Sequence, residues 1–266
     1  MTSDAPSHTI LQETRDGVTI LTLNRPRQRN AFDAQMYGEL AAALDETRDD
    51  PRVRVVMITG AEGAFSAGQD LAEMGRLAER RPESGDGTGF PRLMDALLAF
   101  DKPLVAAVNG VGVGLGFTLL LHCDLVYMAT DARLRLPFVT LGVVPEAASS
   151  VLLPAVVGPQ AAADLVFTGA WVDAHRAAAL GIAYQVCAPA DLLPTARAKA
   201  AEIAAGPLGA LRRSKRLLRA TRDAEIRGAR AREDAAFAAC IGSDENLEAI
   251  RAFLEKRPPD FSGRGD

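Results

Sequence analysis

The chain has 266 residues, 48% of them hydrophobic and 24% charged, with a formal net charge of −4. That suits one large soluble domain, or a domain with an appended segment, with ample material for a core. The acidic balance gives no electrostatic case for nucleic acid, and no apolar run reaches membrane-spanning length.

Cys123, Cys187 and Cys240 are odd in number and lack metal-ligand spacing, which indicates a reducing compartment rather than a disulfide framework or a zinc site. No secretory or transit signal is evident in the polar N-terminus, so the expectation is a cytoplasmic protein without a metal. His8, His122 and His175 lie far apart in sequence. His122 falls in an apolar stretch, where a hydrogen-bonded core histidine is the ordinary role.

In chain order, Thr9–Glu13 and Val18–Asn24 read as a hairpin turned at Asp16-Gly17. Asn30-Ala-Phe-Asp33 caps a helix over Ala34–Arg48, in which Met36, Leu40, Ala43 and Leu44 recur at helical spacing. Val53–Thr59 is a continuous apolar run, as in a strand covered on both faces. A small-residue loop follows to Gln69, and Asp70 is placed to cap a helix starting at Leu71. Arg80–Gly89 is low in complexity. A helix over Pro91–Ala99 leads to the apolar strand Leu104–Val108, then the glycine stretch, then a strand at Leu125–Ala129.

Arg133–Leu136 reads as one more short strand, Pro137 to Pro145 as loop, and Glu146–Val156 as a helix. Helices are predicted for Pro159–Phe167, Ala174–Leu180, Asp191–Ala205, Leu208–Thr221, a segment running to Cys240, and Asp244–Glu255. The strand–helix alternation to about residue 190 indicates α/β, with residues 1–190 as the core and 191–266 as a C-terminal helical region. The basic run Arg212-Arg213-Ser-Lys215-Arg216 reads as a solvated helix face or a phosphate contact.

The glycine stretch runs from Asn109 to Asp124, with glycines alternating at 110, 112, 114 and 116. Strand, glycine turn and buried helix would present unpaired backbone N–H groups to an electron-rich oxygen. A tight turn that merely packs a helix on a strand accounts for the pattern equally well. Neither the G-x-G-x-x-G fingerprint nor a Gly-Lys P-loop is present. Strand Val53–Thr59 with loop Phe65–Asp70 repeats the plan. Two such loops at the carboxyl ends of parallel strands could direct one N–H each at a single oxygen, as in an oxyanion hole.

The motifs Leu23-Asn-Arg-Pro, Asn30-Ala, Arg54–Gly60, Phe65-Ser-Ala-Gly-Gln-Asp-Leu71, Lys102-Pro, Asn109-Gly, Cys123-Asp124 and Ala252–Arg257 together resemble the enoyl-CoA hydratase/isomerase (crotonase) superfamily. The likeness implies a crotonase (ClpP-like) α/β spiral of β-β-α units with a C-terminal helical trimerisation region, in homotrimers or dimers of trimers. It implies an acyl-CoA thioester substrate, coenzyme A entering only as part of that substrate, and no separate cofactor. By the same likeness the oxyanion-hole donors are the backbone N–H groups of Ala67 and Leu115, the latter following Gly114.

The two glutamates of the family's hydratases fall at Thr118 and Phe138, so both acids are missing. Glu146, in Val144-Pro-Glu-Ala-Ala-Ser-Ser150, lies among apolar residues that would raise its pKa toward that of a base. An acid after a proline is also an ordinary helix start. The peroxisomal-type Δ3,Δ2-enoyl-CoA isomerases resemble this chain at that segment and imply Glu146 as the single acid–base residue. Ser66, Gly68, Gln69 and Asp70 would border the thioester, and Leu71, Met74, Phe90 and Phe138 would wall the acyl group. Arg25 and Arg27, with Phe253 and Lys256 of the terminal helix, would contact the coenzyme A. The alternatives are another crotonase-fold reaction, hydration included, and a non-catalytic acyl-CoA-binding module.

Overall fold

A computed structural model describes residues 8–73 and 89–262 of the chain. Met74 and nearly all of the low-complexity segment lie outside the described residues.

The hairpin forms as the sequence dictates. β1 (Ile10–Arg15) and β2 (Val18–Leu23) pair antiparallel around Asp16-Gly17, both at positive φ. β3 (Val55–Gly60), β5 (Leu104–Val108), β7 (Leu125–Ala129) and β10 (Gln185–Cys187) extend this into one sheet in the order β1-β2-β3-β5-β7-β10, parallel from β2 onward. Every residue of β3 and β5 is buried, which explains their unbroken apolar runs.

The second sheet is not visible as apolar runs. β4 (Ala64–Ser66), β6 (Val111–Val113), β8 (Arg133–Arg135) and β9 (Val172–Asp173) pair in that order. Each is two or three residues long. β3–β4, β5–β6 and β7–β8 are therefore successive turns of a spiral, each giving one strand to each sheet. Part of the glycine stretch, expected as loop, is strand β6.

The helix Ala34–Asp49 is capped by Asp33, which accepts from the Met36 N–H at 2.9 Å, and buries Met36, Leu40, Ala43 and Leu44. The helix Leu192–Ala204 packs on the large sheet with Leu192, Ala196 and Ala200 at 1% exposure or less. Residues of this helix join the same hydrophobic core as the sheet, and so does Ile250 further along the chain. Three further helices follow at Leu208–Ala220, Asp223–Cys240 and Asp244–Leu254.

The basic run at 212–216 docks the first of these three helices. Arg212 and Arg216 pair with Asp101, and Lys215 is 5% exposed, 2.7 Å from Asp124 and 2.8 Å from the Lys102 carbonyl. Asp124 also accepts from the Leu104 N–H at 2.7 Å, so one carboxylate ties strand β5 to the helix. These contacts leave Arg212, Lys215 and Arg216 committed to the fold. Among the described residues no helix is long and apolar enough to cross a membrane.

Candidate active site

A cavity of about 1310 Å³ opens between the loops after β4, β6 and β8 and the helices Asp223–Cys240 and Asp244–Leu254. Of the residues expected at the site, Ala67, Gly68, Gln69 and Leu71 line it from the first loop. Gly114 and Leu115 line it from the second, and Phe138 and Glu146 from the third, with Phe253 closing from the terminal helix.

Local bonding shows why the first loop runs there. Residues 29–33 lie alongside residues 67–70. Ala67 N–H donates to the Arg29 carbonyl (2.9 Å), Phe32 N–H to Gly68 (2.7 Å), and Asp70 N–H to Phe32 (2.9 Å). The Asn30 side chain donates to the carbonyls of Ala61 and Ala64, and Ser66 Oγ donates to the Asn30 carbonyl at 2.8 Å. Ser66 is therefore fully buried behind the cavity wall. Gly68 has φ +86°, and a Cβ there would lie 2.5 Å from the Val113 carbonyl oxygen, so the two glycine loops touch backbone to backbone.

Gly114 (φ 52°, ψ −118°) turns the chain from β6 into a single α-helical turn, Leu115–Thr118, followed by a 3-10 turn, Leu119–His122. The buried helix expected here is thus two short turns, with a correspondingly small dipole. The Leu115 N–H, first in its turn, has no intrahelical acceptor and none among the described residues. The Ala67 N–H, by contrast, is closed by the Arg29 carbonyl.

Glu146 precedes its helix rather than starting it. The helix is Ser149–Val157, reached through Ala147 (φ 61°) and Ala148 (φ 57°), a left-handed pair without glycine. Two groups hold that pair. His122 Nε2 lies 2.8 Å from the Ala147 carbonyl, which can only accept, so the ring donates. Glu233 accepts from the Ala148 and Ser150 N–H groups at 2.6 and 2.7 Å. Burial lowers the His122 pKa to about 4, keeping the ring neutral for this bond. Burial, reinforced by the charges of Glu233 and Asp234, raises the Glu146 carboxyl to about 8.

The hydratase positions carry no acid in space either. Thr118 is fully buried and lies off the cavity wall, and Phe138 presents an apolar ring to the cavity.

Other expected contacts lie elsewhere. Arg25 pairs with Asp70 (3.2 Å) and Asp33 (3.0 Å) and donates to the Ala31 carbonyl at 2.6 Å. Arg25 and Asp70 thus brace the first loop from behind, Asp70 also capping the turn at Ala72 and Glu73. Arg27 and Lys256 are exposed and off the cavity.

Tyr37, Glu233 and Asp234 line the cavity without having been expected. Tyr37 donates to Gln69 Oε1 at 2.5 Å, and its phenol is raised well above the ordinary value by burial and then by Glu146. It sits on the helix face already marked by Met36 and Leu40. Glu233 shared a stripe with Ile226 and Ala229 at helical spacing, a signal hidden by the charges around it.

Comparison with known proteins places this geometry in a family. The model of the enoyl-CoA hydratase/isomerase family matches residues 13–264. The chain belongs to that family. It is 39% identical to a protein of Thermus thermophilus described as a putative enoyl-CoA hydratase, over 95% of this chain and 100% of that one. It is 37% identical to the 2,3-dehydroadipyl-CoA hydratase of Escherichia coli, over 93% and 96%. The crystal structure of an enoyl-CoA hydratase/isomerase from Pseudoalteromonas atlantica superposes with a TM-score of 0.88 at 36% identity, covering 95% of this chain and 99% of that one. The fold is therefore the crotonase fold, and the protein is an enzyme of acyl-CoA chemistry; the neighbours' names point to hydratases rather than to the isomerase subgroup.

Proposed function

We propose that this enzyme shifts the double bond of a 3-enoyl-CoA to give the 2-enoyl-CoA, with Glu146 as its single acid–base residue. The observation that carries the reading is the Glu146 carboxylate on the cavity wall, raised to about 8 and without a hydrogen-bonding or ionic partner of its side chain among the described residues, with Thr118 and Phe138 at the positions of the hydratase acids.

Glu146 takes a proton from C2 of the bound thioester, and negative charge collects on the thioester oxygen as a dienolate. The Leu115 N–H receives that oxygen, joined by the Ala67 N–H once the Arg29 carbonyl yields it. The protonated Glu146 then returns the proton at C4. A carboxyl near 8 suits both directions, since base and acid forms coexist close to neutrality. Each oxyanion donor is worth roughly 3–4 kcal/mol in the transition state. Leu71, Phe90 and Phe138 wall the acyl group; Phe253 meets the coenzyme A at the cavity, and Arg27 and Lys256 meet the part of it that extends beyond the cavity, in a homotrimer or dimer of trimers.

Hydration of a 2-enoyl-CoA is the second reading, favoured by the hydratase names of the relatives and by two further cavity carboxylates, Glu233 and Asp234. Against it, both Glu233 oxygens are occupied by backbone N–H groups, and Asp234 lies 3.7 Å from Arg230. Supplying the purified enzyme with 3-enoyl-CoA and, separately, 2-enoyl-CoA decides between them. Hydration without any double-bond shift sinks the isomerase reading.

A further inference from the structure

Within the loop that carries Glu146, the Glu146 carbonyl accepts from the Ser149 N–H at 3.1 Å and from Ser149 Oγ at 2.6 Å, which leaves the Ala148 and Ser150 N–H groups to be met from elsewhere. Pro145 has no N–H to donate, and Ala147 and Ala148 sit in the left-handed region, which is unfavourable for a residue with a Cβ. The helix Ser149–Val157 has no side-chain cap from its own N-cap residue. Both deficits are met from far along the chain, by Glu233, which is 5% exposed and lies midway along the helix Asp223–Cys240. One carboxylate oxygen accepts the Ala148 N–H and the other the Ser150 N–H, so the group bridges the left-handed pair and the first helical turn.

We infer that Glu233 is a positioning residue for Glu146: the C-terminal helical region fixes the direction of the base through this one carboxylate. The inference rests on Glu146 being the base. Glu233 acts on it in two ways. Its hydrogen bonds fix the backbone two residues beyond Glu146, while His122 fixes the carbonyl between them. Its charge also faces Glu146 across the cavity wall and disfavours a second negative charge there.

The other charged or titratable groups near Glu146 are few. Asp234 lies on the same helix as Glu233, and Arg230, on that helix too, pairs with Asp95 and Asp234. Tyr37 faces from the helix Ala34–Asp49, and His122 stays neutral behind the loop. Of these acids, only Glu233 combines the charge with a grip on the loop.

The test titrates the full-length protein carrying glutamate labelled with 13C at Cδ, the Glu146 signal being the one that Glu146→Gln removes. The wild-type midpoint is expected near 8. Glu233→Gln should lower it by roughly one pH unit. It should also reduce kcat on 3-enoyl-CoA roughly 10–100-fold with little change in KM. Glu233→Asp keeps the charge but shortens the reach, so it should retain the high midpoint while losing kcat.

A Glu233→Gln protein with unchanged midpoint and unchanged kcat, even one of lower melting temperature, overturns the inference. Should that variant not fold, Glu233→Asp with full kcat overturns it instead. A midpoint that moves in a protein without isomerase activity leaves the positioning role standing and refutes the assigned reaction.

Discussion

Replacing Glu146 by Gln separates the chemistry at this site from its stability, because the two respond in opposite directions. The carboxyl is raised from 4.5 to about 8, chiefly by burial and then by Glu233 and Asp234. The folded state thus prefers the protonated, neutral form. Stability is fully present below pH 4.5 and falls as pH rises through 8, the unfolded chain giving up its proton first. The full shift corresponds to about 5 kcal/mol. The side chain opens on the cavity, so water reduces this to about 2–3 kcal/mol.

Glutamine mimics the neutral form at every pH. Glu146→Gln should therefore unfold later than wild type at pH 9 and together with it at pH 4, as read by denaturant melts at both values. Its isomerase rate, followed by formation of the conjugated 2-enoyl thioester, should fall by roughly 10²–10⁴-fold. In the wild type about a tenth of the enzyme holds the base form at pH 7, so kcat/KM should climb about tenfold between pH 7 and pH 9. A variant that keeps its rate within a few-fold, or that gains no stability at pH 9, refutes the reasoning.

Burial of His122 places its pKa near 4, so the fold loses stability as pH falls from 6.5 through 4. His122→Ala should flatten that part of the stability–pH curve while lowering kcat, through the freed Ala147 carbonyl. Lys215→Ala removes the buried ammonium that joins Asp124 and the Lys102 carbonyl to the helix Leu208–Ala220, and should cost about 1–3 kcal/mol in urea unfolding. Gly68→Ala puts a methyl group against the Val113 carbonyl at positive φ. It should lower kcat at least tenfold by driving the two glycine loops apart, about 1–3 kcal/mol of strain in a thermal melt.

Long elements with a strong period were legible in the sequence. The hairpin at Asp16-Gly17, the buried strands β3, β5 and β7, and every helix from Pro159 onward lie within a few residues of their expected ends. Of the second sheet only β8 was, as the short strand expected at Arg133–Leu136; the other two- or three-residue strands carry no period and are defined by partners far away in sequence. Glu146 was legible from its apolar neighbours, but its helix starts three residues later, because two alanines adopt a conformation that no local preference favours. Glu233 could not be recognised at all, since its value lies in N–H groups more than eighty residues away. Arg25 misled for the same reason in reverse: its acidic partners, Asp33 and Asp70, occupy separate segments that only the fold joins.

The spiral divides labour by turn. β3–β4 delivers Ala67, β5–β6 delivers Leu115, and β7–β8 delivers Phe138 and Glu146, all to one rim. Under the proposed function, recognition of the thioester oxygen belongs to the first two turns and the proton chemistry to the third. Residues 137–148 could be exchanged for a loop bearing other acids while the oxygen-holding turns stay as they are. On this scaffold a new reaction is a matter of rewriting one loop, and the grip on the thioester is inherited with the turns that remain.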